Sequence, residues 1–180
     1  MANTTFDGPV RSKNGFINLG PNAIVANTLA TDMTVAANAG RIMLMDPAGT
    51  PTAITLPAIN ATANAAVAGD NDPSNPNTIG TTFEILFTDD FTGTIQTANT
   101  NDKFIGMITA GITASTAGKQ WVPAATNNEI NLNGEAGAAV ATTGGLKGTY
   151  LKFTAVAANL YLVQGLTNAT GTLVTPFDDQ

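Results

Sequence analysis

Short apolar runs alternate with turn-forming residues along the whole chain of 180 residues. The runs are rich in branched and aromatic side chains, and Asn, Gly and Pro separate them, which is typical of a sandwich or barrel. No window keeps apolar residues at a period of 3.6 for three turns, and the best one, Ile59–Val67, allows a single short helix. We predict strands over residues 23–26, 33–36, 41–45, 53–56, 82–88, 93–97, 104–109, 121–123, 129–132, 148–156 and 159–164.

Two hairpins are predicted from adjacent runs. Residues 149–156 lead into 160–163, and the Ala-Asn pair at 158–159 suits the tight turn between them. Residues 83–87 and 91–97 flank a pair of Asp residues, which we interpret as a turn rather than as metal ligands. The pattern therefore predicts an all-β protein, an antiparallel β-sandwich that is jelly-roll-like.

The composition supports strands and turns. The chain contains 29 Thr, 29 Ala and 19 Asn but only three Ser. Thr suits a pleated surface because its Cβ is branched, and Asn suits turns because it tolerates the left-handed region. Ala favours helices, yet here it lies among Gly, Thr and Asn without a helical period.

Charge and missing residue types narrow the function. Seven basic and 13 acidic residues give a net charge of −6, so we expect no nucleic-acid partner, because phosphate binding needs clustered Lys and Arg. The chain has no Cys and no His, which excludes disulfides, thiol nucleophiles and His general bases. We therefore expect no enzyme, no cofactor and no transition-metal site.

The sequence shows no export or membrane segment. The opening residues, 1–7, lack a basic region followed by an apolar stretch, and no run approaches the ~18 apolar residues that span a bilayer. We therefore expect a protein that is made in the cytoplasm and has no membrane partner.

The chain divides into an extended N-terminal arm, residues 1–22, and a β-sandwich domain, residues 23–180. Gly and Pro interrupt the arm too often for regular structure. Within the domain, residues 64–80 form a long loop rich in Asn and Pro. Four side chains in this loop carry oxygen atoms that could hold calcium weakly: Asp70, Asp72, Asn75 and Asn77. Their spacing lacks the turn Gly and the bidentate Glu of a calcium-binding loop. We therefore interpret the segment as a solvated loop.

Two further features have a structural interpretation. Residues 144–148, Gly-Gly-Leu-Lys-Gly, lack the spacing of a phosphate-binding loop and read as a turn before a strand. Trp121, the single Trp, is expected in the core rather than on a ligand platform.

The arm is the most informative segment. It carries three bulky apolar residues, Phe6, Val10 and Phe16, together with two basic residues, Arg11 and Lys13. An unanchored tail rarely carries so many bulky apolar residues, so we expect the arm to dock on a partner.

The residues 6–16, Phe-Asp-Gly-Pro-Val-Arg-Ser-Lys-Asn-Gly-Phe, resemble the F-x-G-P-V-x-S-x-N-G-F opening of small tailed-phage head proteins from phages of marine bacteria and cyanobacteria. Those proteins are taken to be capsid decoration, or cement, proteins. Residues 40–46 followed by 52–57 resemble their strand pair ending in T-L-P, and residues 148–165 resemble their last hairpin. The long loop at 64–80 departs from that pattern.

The resemblance implies a structural virion protein on the outer surface of the capsid. It implies a homotrimer that binds the major capsid protein and stabilises the shell against internal DNA pressure. The capsid-binding residues would be those of the arm, namely Phe6, Gly8, Pro9, Val10, Arg11, Lys13 and Phe16. Two alternatives are a receptor-binding or tail-fibre β module, which would need an aromatic-lined or calcium-holding pocket, and a bacterial surface-layer or pilus-type subunit, which would need an export signal.

Overall fold

A computed structural model describes residues 24–27, 31–46, 53–61, 78–112, 117–134 and 141–180 of the chain. These residues form strands and one short helix, with the following bounds: β1 (Ile24–Asn27), β2 (Thr31–Asp32), α1 (Val35–Asn38), β3 (Ile42–Met45), β4 (Ala53–Leu56), β5 (Thr82–Phe87), β6 (Thr92–Thr97), β7 (Lys103–Ile112), β8 (Gly118–Trp121), β9 (Glu129–Asn133), β10 (Leu146–Ala157), β11 (Leu160–Ala169) and β12 (Phe177–Asp178). The prediction of an all-β protein is confirmed. The predicted arm, residues 1–22, lies outside the described residues.

The strands form two sheets. The seven-stranded sheet has the order β1-β3-β5-β10-β11-β7-β8, and the five-stranded sheet has the order β12-β9-β6-β4-β2. Both sheets contain parallel as well as antiparallel pairs. In the seven-stranded sheet β3 pairs in parallel with β1 and β5, and β11 pairs in parallel with β7. In the five-stranded sheet β4 pairs in parallel with β2 and β6. The expected purely antiparallel arrangement is therefore not observed. A jelly roll is an antiparallel architecture, so that finer prediction is not confirmed.

The core lies between the two sheets. Along β5 buried and partly exposed residues alternate, and Phe83, Ile85 and Phe87 point inward. The same alternation on β4 and β9 directs Ile54 and Ile130 into the same cluster from the five-stranded sheet. One contiguous cluster joining both sheets makes the fold sandwich-like.

The hairpin predicted near the C-terminal end is confirmed. β10 pairs antiparallel with β11, with Leu151 opposite Gly165 and Thr154 opposite Leu162. The turn at 158–159 places Asn159 at a φ of 58°, the left-handed region that Asn tolerates better than most residues.

The second predicted hairpin is wrong, because β5 and β6 lie in different sheets. After β5 the chain crosses to the opposite layer, and buried Phe91 packs there against Phe87. The backbone of Phe91 is held by Gly145 and Gly134, whose main-chain groups bond to its N–H and C=O at 2.8 and 2.9 Å. The short link between the two strands is a crossover between layers, which alternation along the sequence does not reveal. The bend in this link lies at Thr88 and Asp89 rather than at the Asp pair that was predicted to turn the hairpin.

The strand pair suggested by the T-L-P motif is also not observed, since β3 belongs to the seven-stranded sheet and β4 to the five-stranded one. β4 pairs instead with β2 and β6. Both β3 and β4 bury every second residue, which is the pattern of a strand with one side on the core. This pattern fits either sheet, so it does not show which strands pair.

The strand predicted at 33–36 is wrong, because residues 35–38 form the helix α1. Thr34 caps this helix: its hydroxyl accepts a bond from the Ala37 N–H at 3.2 Å, while its own N–H donates to Asn38 Oδ1 at 2.9 Å. The Arg41 side chain then donates to the Ala37 carbonyl at 2.9 Å. These local bonds outweigh the strand preference of Thr and Val.

Other boundaries differ more modestly. β8 covers Gly118–Trp121 rather than 121–123, because it pairs back along the end of β7 with Trp121 opposite Ile108. The two-residue strands β2 and β12 were not predicted. Residues 59–61 are irregular, and the remainder of the predicted helix lies outside the described residues.

Candidate functional site

The predicted capsid-binding residues cannot be placed in the fold. Those residues, Phe6, Gly8, Pro9, Val10, Arg11, Lys13 and Phe16, all lie outside the described residues, as do the loop side chains Asp70, Asp72, Asn75 and Asn77. Two neighbouring regions of the fold are described, namely the base of the long loop and the outer side of the seven-stranded sheet that β1 borders.

The base of the long loop is clasped by backbone and side-chain bonds. The Asn60 N–H donates to the Thr78 hydroxyl at 2.8 Å, and the Thr78 N–H donates to the Asn60 carbonyl at 3.0 Å. The chain thus leaves and re-enters the sandwich at one place. A loop closed in this way can vary in length at small cost, since closure entropy grows only with the logarithm of loop length.

A buried carboxyl group binds the backbone next to these bonds. Asp102 is fully buried, and its Oδ2 accepts a bond from the Ile59 N–H at 2.9 Å. Its Oδ1 has no hydrogen-bond partner among the described residues, and burial raises the pKa of the carboxyl. The buried Tyr161 hydroxyl donates to the Pro57 carbonyl at 2.7 Å. Burial, and secondarily the charge of Asp102, raises the pKa of Tyr161.

The described residues of this loop-base cluster contain one carboxyl group, that of Asp102. A catalytic carboxylate pair needs two carboxyl groups at one place, and Asp102 is joined here to a backbone amide. In the described part of the chain no group of three or more Asp, Glu, His or Cys residues is placed to hold a metal ion. We interpret the cluster as the anchor of the loop.

The outer side of the seven-stranded sheet carries the second candidate site. We call it the outer face, and it consists of three cross-strand rows: Leu44, Leu86, Tyr150 and Leu166; Ile42, Glu84, Lys152, Gln164 and Met107; and Thr82, Thr154, Leu162 and Ile105. Each of these residues alternates with buried residues along its strand. Directly opposite side chains in such rows lie within contact distance of one another.

The outer face is unusually apolar. A sheet with one solvated face normally shows polar side chains there. On this face Ile105, Met107 and Leu166 are 41%, 42% and 45% exposed. Contiguous exposed apolar patches of this kind mark interaction sites in soluble proteins.

A charged cluster lies in the middle of the outer face. The Tyr150 hydroxyl donates to Glu84 Oε2 at 2.5 Å, and Lys152 Nζ lies 3.2 Å from Glu84 Oε1. The Tyr150 hydrogen bond, followed by the bond and charge of Lys152, holds the pKa of Glu84 below its usual value against the opposing effect of burial. Burial and the Glu84 carboxylate raise the pKa of Tyr150 to about 12. The charged form of Glu84 is therefore favoured in the middle of the face.

Two sequence interpretations are met only in part. The turn before β10 lies at residues 142–143, and β10 already begins at Leu146, within the segment predicted as a turn. The Gly145 N–H donates to the Thr167 hydroxyl at 3.0 Å and the Lys147 N–H to Asp90 Oδ1 at 2.8 Å. These amides are bonded within the protein instead of facing an anion. Trp121 packs partly buried against the core.

Comparison with known proteins gave no match to any family model, curated protein or solved structure. No helix in the described part of the chain is long and apolar enough to cross a membrane. The assignment of a function therefore rests on the residues themselves.

The outer face was missed at the sequence level, although a signal for it exists. In Leu160–Val163 and in Phe104–Ile108 apolar residues occupy positions on both sides of the strand. Such runs normally indicate a strand that is covered on both sides. In the described fold only the inner side of these two strands is covered.

Proposed function

We propose that this chain is a structural virion protein that decorates the outer surface of a tailed-phage head and stabilises the shell against internal DNA pressure. The observation that carries the proposal is the opening at residues 6–16, which resembles that of phage head decoration proteins. The all-β sandwich is compatible with this proposal, since a rigid sandwich can present an arm and a sheet face to a capsid, and such binding needs no catalytic residues. The partners are the major capsid protein and further copies of the chain, in a homotrimer.

The arm is the proposed anchor on the capsid. Burying a Phe side chain contributes about 1.5–3 kcal/mol, whereas an exposed ion pair contributes about 0–1 kcal/mol. Phe6, Val10 and Phe16 should therefore supply most of the affinity, and Arg11 and Lys13 should provide attraction to capsid carboxylates.

The position of β1 suits this role. β1 follows the arm directly in sequence and forms one border of the seven-stranded sheet, where it pairs with β3 on one side. An arm that departs from a sheet border is able to reach a neighbouring protein and to add backbone pairing to a capsid strand.

Arm variants test the anchor with heads of the phage whose genome encodes the chain. A truncation beginning at Ala23 should fold and self-associate but bind heads weakly in co-sedimentation. Phe6→Ala or Phe16→Ala should weaken binding more than the matched variant Lys13→Ala, and high salt should weaken it only modestly. Binding of the truncated chain as tight as that of the full chain would show that the arm is not the anchor.

A further inference from the structure

We propose that the outer face of the seven-stranded sheet is the surface through which copies of this chain associate. This inference rests on the self-association included in the proposed function and names its surface, but it does not depend on whether the chain binds phage heads. It commits to a second copy of the same chain as the occupant of the face.

The first argument is the apolar content of the face. The row that crosses four strands through Leu44, Leu86, Tyr150 and Leu166 contains no charged side chain. On the same face Met107 and Ile105 extend the apolar surface to β7. Removing these groups from water favours association in proportion to the area covered.

The second argument is charge complementarity between the two halves of the face. The half formed by β3 and β5 carries Glu84, and the half formed by β10, β11 and β7 carries Lys152, which lies beside Glu84 where the two halves meet. When one half of a copy packs on the other half of its neighbour, Glu84 of each copy meets Lys152 of the next. This arrangement leaves no like charges opposed across the interface.

The third argument is the location of the charged residues within the strands. The strands of the five-stranded sheet carry Asp32, Glu129 and Asp178 and no basic residue, whereas Glu84 is the one acidic residue within the described strands of the seven-stranded sheet. Copies that meet through the seven-stranded sheet hold these carboxylates apart on opposite sides of the assembly. For a chain with a net charge of −6, association through any other sheet face would bring acidic residues together.

The size of the face suits a stable interface. Seven strands spaced ~4.8 Å apart form a surface on the order of 30 Å wide. About five residues of each strand, with a rise of ~3.3 Å per residue, give this surface a flat area of roughly 500 Å², so two copies together can bury about the ~1,000 Å² that a specific interface needs.

The test is sedimentation of the full chain at tens of micromolar, with Leu166→Lys and Met107→Lys as interface variants. Thr92→Lys is the matched control, because Thr92 is exposed on β6 of the other sheet. We expect the wild type and Thr92→Lys to associate equally, and each interface variant to raise the dissociation constant about tenfold or more. Thermal unfolding of every variant separates lost association from lost folding.

A charge-exchange series provides a second readout. Glu84→Lys and Lys152→Glu should each weaken association, and the double variant with both changes should restore it. A monomeric wild type, or association unchanged in Leu166→Lys and Met107→Lys, would overturn the inference while leaving head binding to be judged separately. Interface variants that keep the oligomer but lose head binding would also overturn it, by assigning the face to the capsid.

Discussion

The ring of Phe91 packs on the ring of Phe87, with 4.6 Å between the ring centroids, across the link that carries the chain from one sheet to the other. Both side chains are fully buried. The pair joins the end of β5 to the start of β6, so it fixes the crossover between the layers at the point where a hairpin would otherwise form.

Phe91→Ala should therefore destabilise the whole domain. Truncating a buried Phe leaves a cavity and costs about 3–5 kcal/mol. The neighbouring exposed residue supplies a control, since Thr92→Ala should change the free energy of unfolding by less than ~0.5 kcal/mol. Denaturant unfolding measures both, and a loss below ~1 kcal/mol for Phe91→Ala would mean that the ring pair does not hold the layers together.

Gly106 on β7 should not tolerate a side chain. Its φ is +111°, and a Cβ there would collide with the carbonyl oxygen of Val163 on the paired strand β11. Strain of this type costs about 1–3 kcal/mol before the collision is counted. Gly111→Ala on the same strand is the control, because nothing lies within 4 Å of the Cβ it would add. Equal melting temperatures for the two variants would contradict this account of Gly106.

The extent to which sequence predicted the fold differs between elements. β4 and β5 were placed within a residue, because their alternation is strict and a buried layer enforces it. The partner of each strand was not predictable, since the parallel pairing of β3 with β5 and of β4 with β6 joins segments separated by a change of sheet. Helix α1 was missed because its stability comes from the Thr34 cap rather than from a repeating apolar pattern.

Asp102 should make stability fall as pH rises. Its folded pKa is raised by burial, so the native state favours the protonated carboxyl, and the cost of ionisation develops above the unfolded pKa of ~3.9. Asp102→Asn keeps an oxygen for the Ile59 N–H and removes the charge. The stability of Asp102→Asn relative to wild type should therefore increase between about pH 4 and pH 7.

The exposed residue Asp89 supplies the control for this experiment. Asp89→Asn should not reproduce the pH-dependent gain, because it removes no buried charge. Urea unfolding at several pH values measures the differences. A difference between Asp102→Asn and wild type that stays constant with pH would show that folding does not raise the pKa of the Asp102 carboxyl.

The hydrogen bond between Tyr150 and Glu84 should contribute more to stability as pH rises, which is opposite to the effect of Asp102. The pKa of Glu84 is lowered in the fold, so its contribution to stability is present above the unfolded pKa of ~4.3 and is lost as pH falls through the folded pKa. Tyr150→Phe removes the hydroxyl that donates to Glu84 and should cost about 1.5 kcal/mol at pH 7. That cost should shrink below about pH 4, and an equal cost at pH 3 and pH 7 would argue against a charge-assisted bond.

The candidate sites were less predictable than the strands. The arm stood out because bulky apolar residues occur among Gly and Pro, which is a property of composition alone. The outer face depends on register across five strands, which places Glu84 beside Lys152 although the two are distant in sequence. Asp102 was not singled out, because its burial arises only from the loop base that packs over it.

The central claim is that the chain decorates phage heads, and labelling of virions tests it most directly. Gold-conjugated antibody raised against the purified chain, viewed by electron microscopy on intact particles of the phage that encodes it, reports where the protein lies. The account predicts label spread over the outer surface of the head and absent from heads of a deletion mutant. Label confined to the tail or its fibres, or no label on particles that carry the gene, would contradict it.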